Sequence, residues 1–514
     1  MASSTFKISP ALGLSIVIAA LILGSAAMVA ARADSFALAA ADWQALRFTL
    51  LQASLSAAVS SVLAIPVARA LFRRRFPLRG VLIRLLAAPF VLPVVVAVMG
   101  LLTVFGRGGP INAALAALGL PEVSIFGLHG VVLANVFFNM PLATRMLLHG
   151  WQAIPAERFR LAQSLGLPPV AQFRHLEVPM LRAQLPGIFA VILLICLASF
   201  AIALMLGGGP KASTLELAIY QSLRFEFDLG RAALLAAVQF ALCATITLAA
   251  AQLTLPQGFG AGLGRDLEIA APAGWRHGLD LLAIGAAALF LFAPLLAVLL
   301  RGLPGLSALP NGIWPAVLRS VSVAVVSAVL AASAALILAI GAAARKSRGI
   351  ELAAMLPLAA SALVLGTGLF LIVRPFVAPE TLALPVTILV NATLTLPYLF
   401  RLLLPEARQL QADYGRLTAS LGLPRRTELR FVTLPRLARH LGYGAGLAAA
   451  LSMGDLGVIA LFAGDGGATL PLFIQHLIGA YRLQQAAAAA LILVAISFAL
   501  FWAFDRLGSR YADA

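Results

Sequence analysis

Apolar residues in this chain come in runs of about twenty, rich in alanine and leucine, separated by shorter polar stretches in which arginine predominates. A run of that length is what an α-helix needs to cross ~30 Å of hydrocarbon at ~1.5 Å per residue. Twelve spans are predicted, at 10–31, 46–71, 81–105, 125–149, 184–206, 232–253, 278–300, 316–343, 352–373, 383–404, 441–463 and 485–504. A β-barrel would instead show apolar and polar residues alternating in strands of about ten. The first run resembles a secretion signal, but its length and the short loop to the second run argue for a retained anchor.

The polar stretches alternate in charge. Arg73, Arg74, Arg75 and Arg79 follow the second span, and Arg158, Arg160, Arg174 and Arg182 the fourth. Arg345, Lys346 and Arg348 follow the eighth, the run from Arg408 to Arg439 follows the tenth, and Arg506 and Arg510 end the chain. Intervening loops hold most remaining acids, among them Asp34, Glu122, Glu216, Glu226, Asp228, Glu380 and Asp465. The excess of Lys and Arg on cytoplasmic loops then predicts that both termini face the cytoplasm. All five tryptophans (43, 151, 275, 314, 502) fall at predicted span ends.

Composition agrees with this picture. Hydrophobic residues make up 61% of the 514 and charged residues 11%, with a mean hydropathy of +0.99. That is too much apolar surface for a soluble protein of this size to hide. The net charge of +17 sits in short loops between spans, so it points to membrane topology and not to nucleic acid. Cys196 and Cys243 lie inside apolar runs and read as buried small hydrophobes. The only lysines are Lys7, Lys211 and Lys346, none preceded by glycine, so no phosphate-binding Gly-Lys-Ser/Thr loop is present. The six histidines lack metal-ligand spacing. No nucleophile–base constellation appears, so an enzyme is not expected. The spans are almost free of the acids that proton relays use; Asp455, in LSMGDLGV, is the exception.

One stretch occurs twice. Residues 157–182 read ERFRLAQSLGLPPVAQFRHLEVPMLR and residues 413–439 read DYGRLTASLGLPRRTELRFVTLPRLAR. Gly166 and Gly422 are 256 apart, as are Pro179 and Pro435. Each copy opens with an acid (Glu157, Asp413), carries leucines four apart on one helix side (Leu161 and Leu165, Leu417 and Leu421), and stops at Ser-Leu-Gly-Leu-Pro. Asn135, Pro141 and Arg145 recur as Asn391, Pro397 and Arg401 at the same displacement. SFAIALMLGGGP (199–210) matches DLGVIALFAGDG (455–466), which pairs Ser199 with Asp455, and TLELAIYQSL (214–223) matches TLPLFIQHLI (469–478). The fold predicted is an all-α polytopic membrane protein of two parallel six-helix repeats, 1–253 and 278–514, joined by a polar Gly/Pro-rich cytoplasmic linker at 254–277.

The repeated hairpin resembles the EAA loop of bacterial ABC importer permeases: Glu-Ala-Ala, a glycine further on, then hydrophobic-x-x-Pro. The first copy supplies Glu157, Ala162, Gly166 and Pro179, the second Asp413, Thr418, Gly422 and Pro435. Both depart from the leading triplet, with Glu-Arg-Phe and Asp-Tyr-Gly. The resemblance implies a type I importer fold whose loops couple to two copies of an ATPase subunit. Leu161, Leu165, Leu417 and Leu421 would then enter the ATPase groove. ATP and magnesium would be bound by those partners, and this chain would carry no cofactor.

RALFRRRFP (69–77), VFFNMP (136–141), GGGPKASTLELAIYQ (207–221) and LSMGDLGVIALF (451–462) further resemble fused two-half permeases for thiamine and thiamine pyrophosphate. That implies a periplasmic thiamine-binding protein as a further partner, docking on the loops 207–231 and 463–484 through Glu216, Glu226, Asp228 and Asp465. Ser199 and Asp455 are the candidates for the translocation path. Fused ferric-iron permeases share the architecture and are the nearest alternative; an ion-coupled secondary transporter is the alternative of a different class.

Overall fold

The computed structural model describes residues 10–32, 37–86, 92–209, 212–250, 274–345, 347–464 and 467–513. Among these residues every regular element is helical, and eleven helices are long and apolar enough to cross a membrane. A bent pair (Arg348–Ala359 with Ala362–Val373, 94° apart) makes up to twelve. The chain is therefore a polytopic all-α membrane protein, as the hydrophobic runs predict.

The first half comprises α1 (Pro10–Arg32), α2 (Ala40–Arg73), α3 (Arg79–Leu85), α4 (Val94–Phe105), α5 (Pro110–Ala117), α6 (Leu128–Ala153), α7 (Ala156–Ser164) and α8 (Pro169–Gln172). It continues with α9 (Val178–Leu197), α10 (Phe200–Leu206), α11 (Leu215–Arg224) and α12 (Leu229–Ala250). The second half runs through α13 (Trp275–Gly302), α14 (Ile313–Arg345), α15 (Arg348–Met355), α16 (Ala362–Val373), α17 (Ala383–Ser420) and α18 (Arg425–Glu428). Its last members are α19 (Leu434–Met453), α20 (Gly457–Phe462), α21 (Leu470–Gly479) and α22 (Leu483–Asp513).

Four predicted spans are not continuous helices. The third is split between α3 and α4, and the fifth between α9 and α10. The ninth bends beyond Pro357, and the eleventh is split between α19 and α20. An apolar run fixes how much greasy chain there is, not whether one helix axis carries it. The tenth span differs the other way, because α17 runs for 38 residues straight into the second repeated loop. The linker expected at 254–277 lies outside the described residues except for its last four, where α13 already begins.

The duplication is visible in matched bonds. The backbone N–H of Leu215 donates to Thr49 Oγ1 (2.8 Å), and that of Leu470 donates to Ser320 Oγ (2.7 Å). Each ties the start of a short helix to the long second helix of its own half. The halves also interlock. The first helix of each lies against the other half: α1 packs on α16 and α14, while α13 packs on α4 and α2. Glycine makes both crossings close. A Cβ on Gly100 would stand 2.5 Å from Pro294 O, and one on Gly368 would stand 2.5 Å from Ser25 Cβ. Lipid offers no hydrophobic drive between helices, so such close backbone approach is what holds them together.

Both repeated loops lie at one end of the bundle. The start of α1, where Ala11 meets Gly341, and the end of α22, where Gly508 meets Ala438, share that end. Trp43, Trp275 and Trp314 are exposed near helix starts as expected, Trp502 is exposed well inside α22, and Trp151 is fully buried.

Candidate coupling and translocation sites

In the first loop, α7 turns Phe159 and Ala162 inward; Phe159 packs on Phe72 with ring centroids 5.9 Å apart. Glu157 lies in the first turn, where a helix N-terminus favours negative charge. Leu161 (59% exposed) and Leu165 (66% exposed) face outward, left largely uncovered by the described residues. Gly166 takes a left-handed φ of +65°, and Leu167 N–H closes the helix onto Ala162 O at 3.0 Å. The chain then passes through a wide turn, Phe173–Glu177, and Pro179 stands in the first turn of α9.

The second loop repeats this geometry. Leu417 and Leu421 are outward, Thr418 is buried, Gly422 has a φ of +59°, and Leu423 N–H closes onto Thr418 O at 3.2 Å. Asp413 precedes it on α17, a wide turn follows at Leu429–Thr433, and Pro435 opens α19. The structure thus brings each sequence-marked loop into one compact knob with two bare leucines at its tip. The four leucines, Gly166, Gly422 and the two prolines stand where the repeat places them.

Ser199 and Asp455 occupy the two broken spans. Past Leu197 the carbonyls of α9 lose their helical donors within the apolar zone, and side chains from neighbouring helices replace them. Gln52 Nε2 donates to Cys196 O (2.9 Å), and Gln239 Nε2 donates to Leu197 O (2.9 Å). Asn135 Nδ2 in turn donates to Gln52 Oε1 (2.9 Å), and the Ser199 hydroxyl donates to Cys196 O (2.8 Å). In the second half the break is held differently. Asn391 Nδ2 donates to Ser452 Oγ (3.0 Å), and Asp455 Oδ1 accepts from Gly457 N–H (3.2 Å), while Asp455 Oδ2 is buried without a hydrogen-bond partner. The breaks meet: a Cβ on Gly457 would lie 3.9 Å from Phe200 Cδ1 and 3.5 Å from Ala362 Cβ. Ser199 and Asp455 therefore border a seam between the halves, which is closed at this level. Among the described residues no group of His, Cys, Asp or Glu is arranged to hold a metal, and both cysteines are buried and free.

The acids expected to receive a docking partner separate. Glu216 is buried at the seam, accepting from Gln239 Nε2 (3.2 Å) and lying against the Ser361 hydroxyl, so it does not belong to an exposed docking surface. Apolar neighbours at i+3 and i+4 on α11 turn that face inward, a direction that a list of loop acids does not reveal. Glu226 and Asp228 are exposed at the end opposite the knobs, with Glu226 paired to Arg231 (2.7 Å) and Asp228 capping α12. Asp465 lies outside the described residues.

No protein-family model matches the chain. It is 40% identical to the thiamine transport system permease protein of Salmonella typhimurium over 490 residues, covering 91% of this chain and 90% of that one. The corresponding Escherichia coli protein is 39% identical, with 91% and 89% covered. This chain belongs to the family of thiamine transport system permease proteins. A more distant member, from Haemophilus influenzae, is 32% identical over 471 residues, covering 88% and 86%. The molybdenum transport system permease protein of Azotobacter vinelandii is 32% identical over 181 residues, which is 35% of this chain but 78% of that protein.

Three features of this permease escaped the sequence reading. Glu177 sits inside the first loop's wide turn, buried, and accepts from Arg69 Nε (2.6 Å), Arg69 Nη2 (3.0 Å), Arg73 Nη2 (3.0 Å) and Trp151 Nε1 (3.0 Å). The guanidinium of Arg69 also lies 4.3 Å from the Phe173 ring centroid. This clamp locks the loop to α2 and α6. In the second half its place is taken by Thr433, and Arg436 stacks over Tyr414 at 4.0 Å instead. The signal was a second acid, after Glu157, in an arginine-rich loop. The second feature is the Gln52, Asn135 and Gln239 network, whose one trace in the sequence is an amide within an apolar run. The third is the pair Phe227 and Tyr481, which only backbone angles reveal.

Proposed function

We propose that this chain is the membrane-spanning subunit of an ATP-driven importer that carries thiamine, and its phosphate esters, across the bacterial inner membrane. The reading is supported above all by two knobs at one end of the bundle, in matched register, each with bare leucines on a capped helix. A buried clamp behind the first knob makes it a rigid lever, and continuity with the 38-residue α17 does the same for the second. The Salmonella, Escherichia and Haemophilus relatives are thiamine transport system permease proteins by name, and that substrate is proposed here for this chain.

The knobs and both termini would face the cytoplasm, following the arginine-rich loops. Two ATPase subunits would each grip one knob through Leu161 and Leu165, or Leu417 and Leu421, with ATP and magnesium bound in the partners. Closure of the ATPase pair draws the knobs together, and the interlocked halves rock about the seam at Ser199 and Asp455. A periplasmic thiamine-binding protein would deliver substrate at the opposite end, near Glu226 and Asp228.

The test is reconstitution. The chain is expected to co-purify with an ATPase subunit and to take up thiamine into proteoliposomes only when ATP is on the knob side. Uptake that persists without the ATPase subunit would refute the reading in favour of a secondary transporter.

A further inference from the structure

Among the described non-glycine residues only Phe227 (φ +55°) and Tyr481 (φ +58°) have a left-handed backbone. They stand in the turn before the last helix of each half, 254 residues apart and not at the 256 displacement of the repeated loops. Phe227 lies two residues ahead of α12, which begins at Leu229, and Tyr481 two residues ahead of α22, which begins at Leu483. Each closes a ten-residue helix, and the next residue's amide returns to that helix: Asp228 N–H to Ser222 O (2.9 Å), Arg482 N–H to Leu477 O (2.9 Å). Such a closing position favours glycine, because in the left-handed region a Cβ crowds the following carbonyl.

Burial does not compensate for the strain. Phe227 is 74% exposed and Tyr481 is 89% exposed. Both turns lie at the end of the bundle opposite the knobs, since α9 and α19 start at the knobs and the chain reverses only after these turns. A strained backbone that presents a large bare ring, once per half, serves no contact inside the fold.

We propose that Phe227 and Tyr481 are paired docking anchors for the soluble thiamine-binding protein, each ring entering an apolar pocket on that partner. The inference rests on the importer reading and names the residues through which the delivering protein is held. The left-handed turn aims each ring away from its own helix, and aromatic rings supply large contact area at low entropic cost. The charges around them define the partner's face. Exposed Glu226 and Asp228 flank Phe227, beside Phe225, whose ring stands edge-on to Tyr220 at 5.7 Å. Exposed Arg482 follows Tyr481. Glu226 is already paired to Arg231, so the complementary protein presents a basic group to Asp228 beside the pocket for Phe227 and an acidic group beside the pocket for Tyr481.

The test uses the permease assembled with its ATPase subunits in nanodiscs, titrated with thiamine-loaded binding protein. Glycine enters the left-handed region freely, so the double variant Phe227→Gly/Tyr481→Gly keeps the fold, with a melting midpoint equal to or above wild type. Its basal ATPase rate should be unchanged, and the concentration of binding protein giving half-maximal stimulation should rise about tenfold or more. The pair Phe227→Asn/Tyr481→Asn, also tolerated in that region, should behave alike, whereas Phe227→Tyr/Tyr481→Phe should titrate as wild type. A double-glycine variant stimulated over the wild-type concentration range overturns the inference. So does a variant whose membrane insertion fails while stimulation of the inserted fraction is normal, since the rings would then be anchors in the lipid headgroup layer. Wild type that binding protein does not stimulate at all is a separate result; it removes the importer reading and the anchors with it.

Discussion

Glu177 accepts four hydrogen bonds from three side chains while almost wholly buried, with two arginines and an indole converging on one carboxylate. Losing one member of a buried charge pair leaves the others uncompensated, at about 3–5 kcal/mol where the site is fully enclosed. Arg69 is a quarter exposed here, so the lower end applies. Glu177→Ala is expected to destabilise the detergent-solubilised protein by about 3 kcal/mol, seen as a fall of several degrees in melting midpoint. Thr433→Ala, at the counterpart position, should move it by less than about 1 kcal/mol. Equal shifts would show that the clamp has no special weight. Nothing local in the sequence marked Glu177: the indole and guanidiniums reach it from α2 and α6, over a hundred residues away in the case of α2.

At the scale of elements, the knobs depend on two left-handed glycines with open space around them: nothing lies within 4 Å of a Cβ built on Gly166 or Gly422. A substitution there is resisted by backbone sterics and not by packing. Gly166→Val/Gly422→Val should tilt the leucine tips, leaving insertion intact but lowering thiamine uptake per ATP hydrolysed at least about tenfold, whereas Gly166→Asn/Gly422→Asn should retain most coupling because Asn enters that region at small cost. Equal transport by the valine and glycine forms would remove the knobs from the mechanism. Helix breaks are the other lesson at this scale. The Cys196 carbonyl, left by α9 in an apolar zone, is met by Gln52 as well as by the local Ser199 hydroxyl, and the Leu197 carbonyl by Gln239; the two amides come from α2 and α12. The capped knobs were legible in the chain because Gly, Pro and leucine spacing act locally; the breaks were not, because their partners are distant.

At the scale of the molecule, the halves are held by exchanged first helices at Gly100 with Pro294 and Gly368 with Ser25. Any side chain at either glycine meets the opposing helix within van der Waals distance. Gly100→Leu and Gly368→Leu should each destabilise by about 1–3 kcal/mol and broaden thermal unfolding. Gly285→Leu, on α13 with nothing within 4 Å of its Cβ, should be neutral. A matching loss in the Gly285 variant would mean that leucine burdens these helices wherever it is placed. In the proposed mechanism, this exchange would make rocking of one half drag a helix of the other.

The sequence by itself determined that this protein spans a membrane with helices, that its two halves repeat in parallel, and where the capped loops fall. Those features follow from hydrophobic run length, a constant displacement and local turn chemistry, each readable within a few dozen residues. Tertiary structure alone decided where the spans break, that Glu216 turns inward and Trp151 is buried, that one knob is clamped and the other carried on a continuous helix, and which first helix crosses to which half. The reason is physical: in lipid every helix looks equally apolar, so identity of neighbours is set by close approach and a handful of buried polar contacts between residues far apart along the chain.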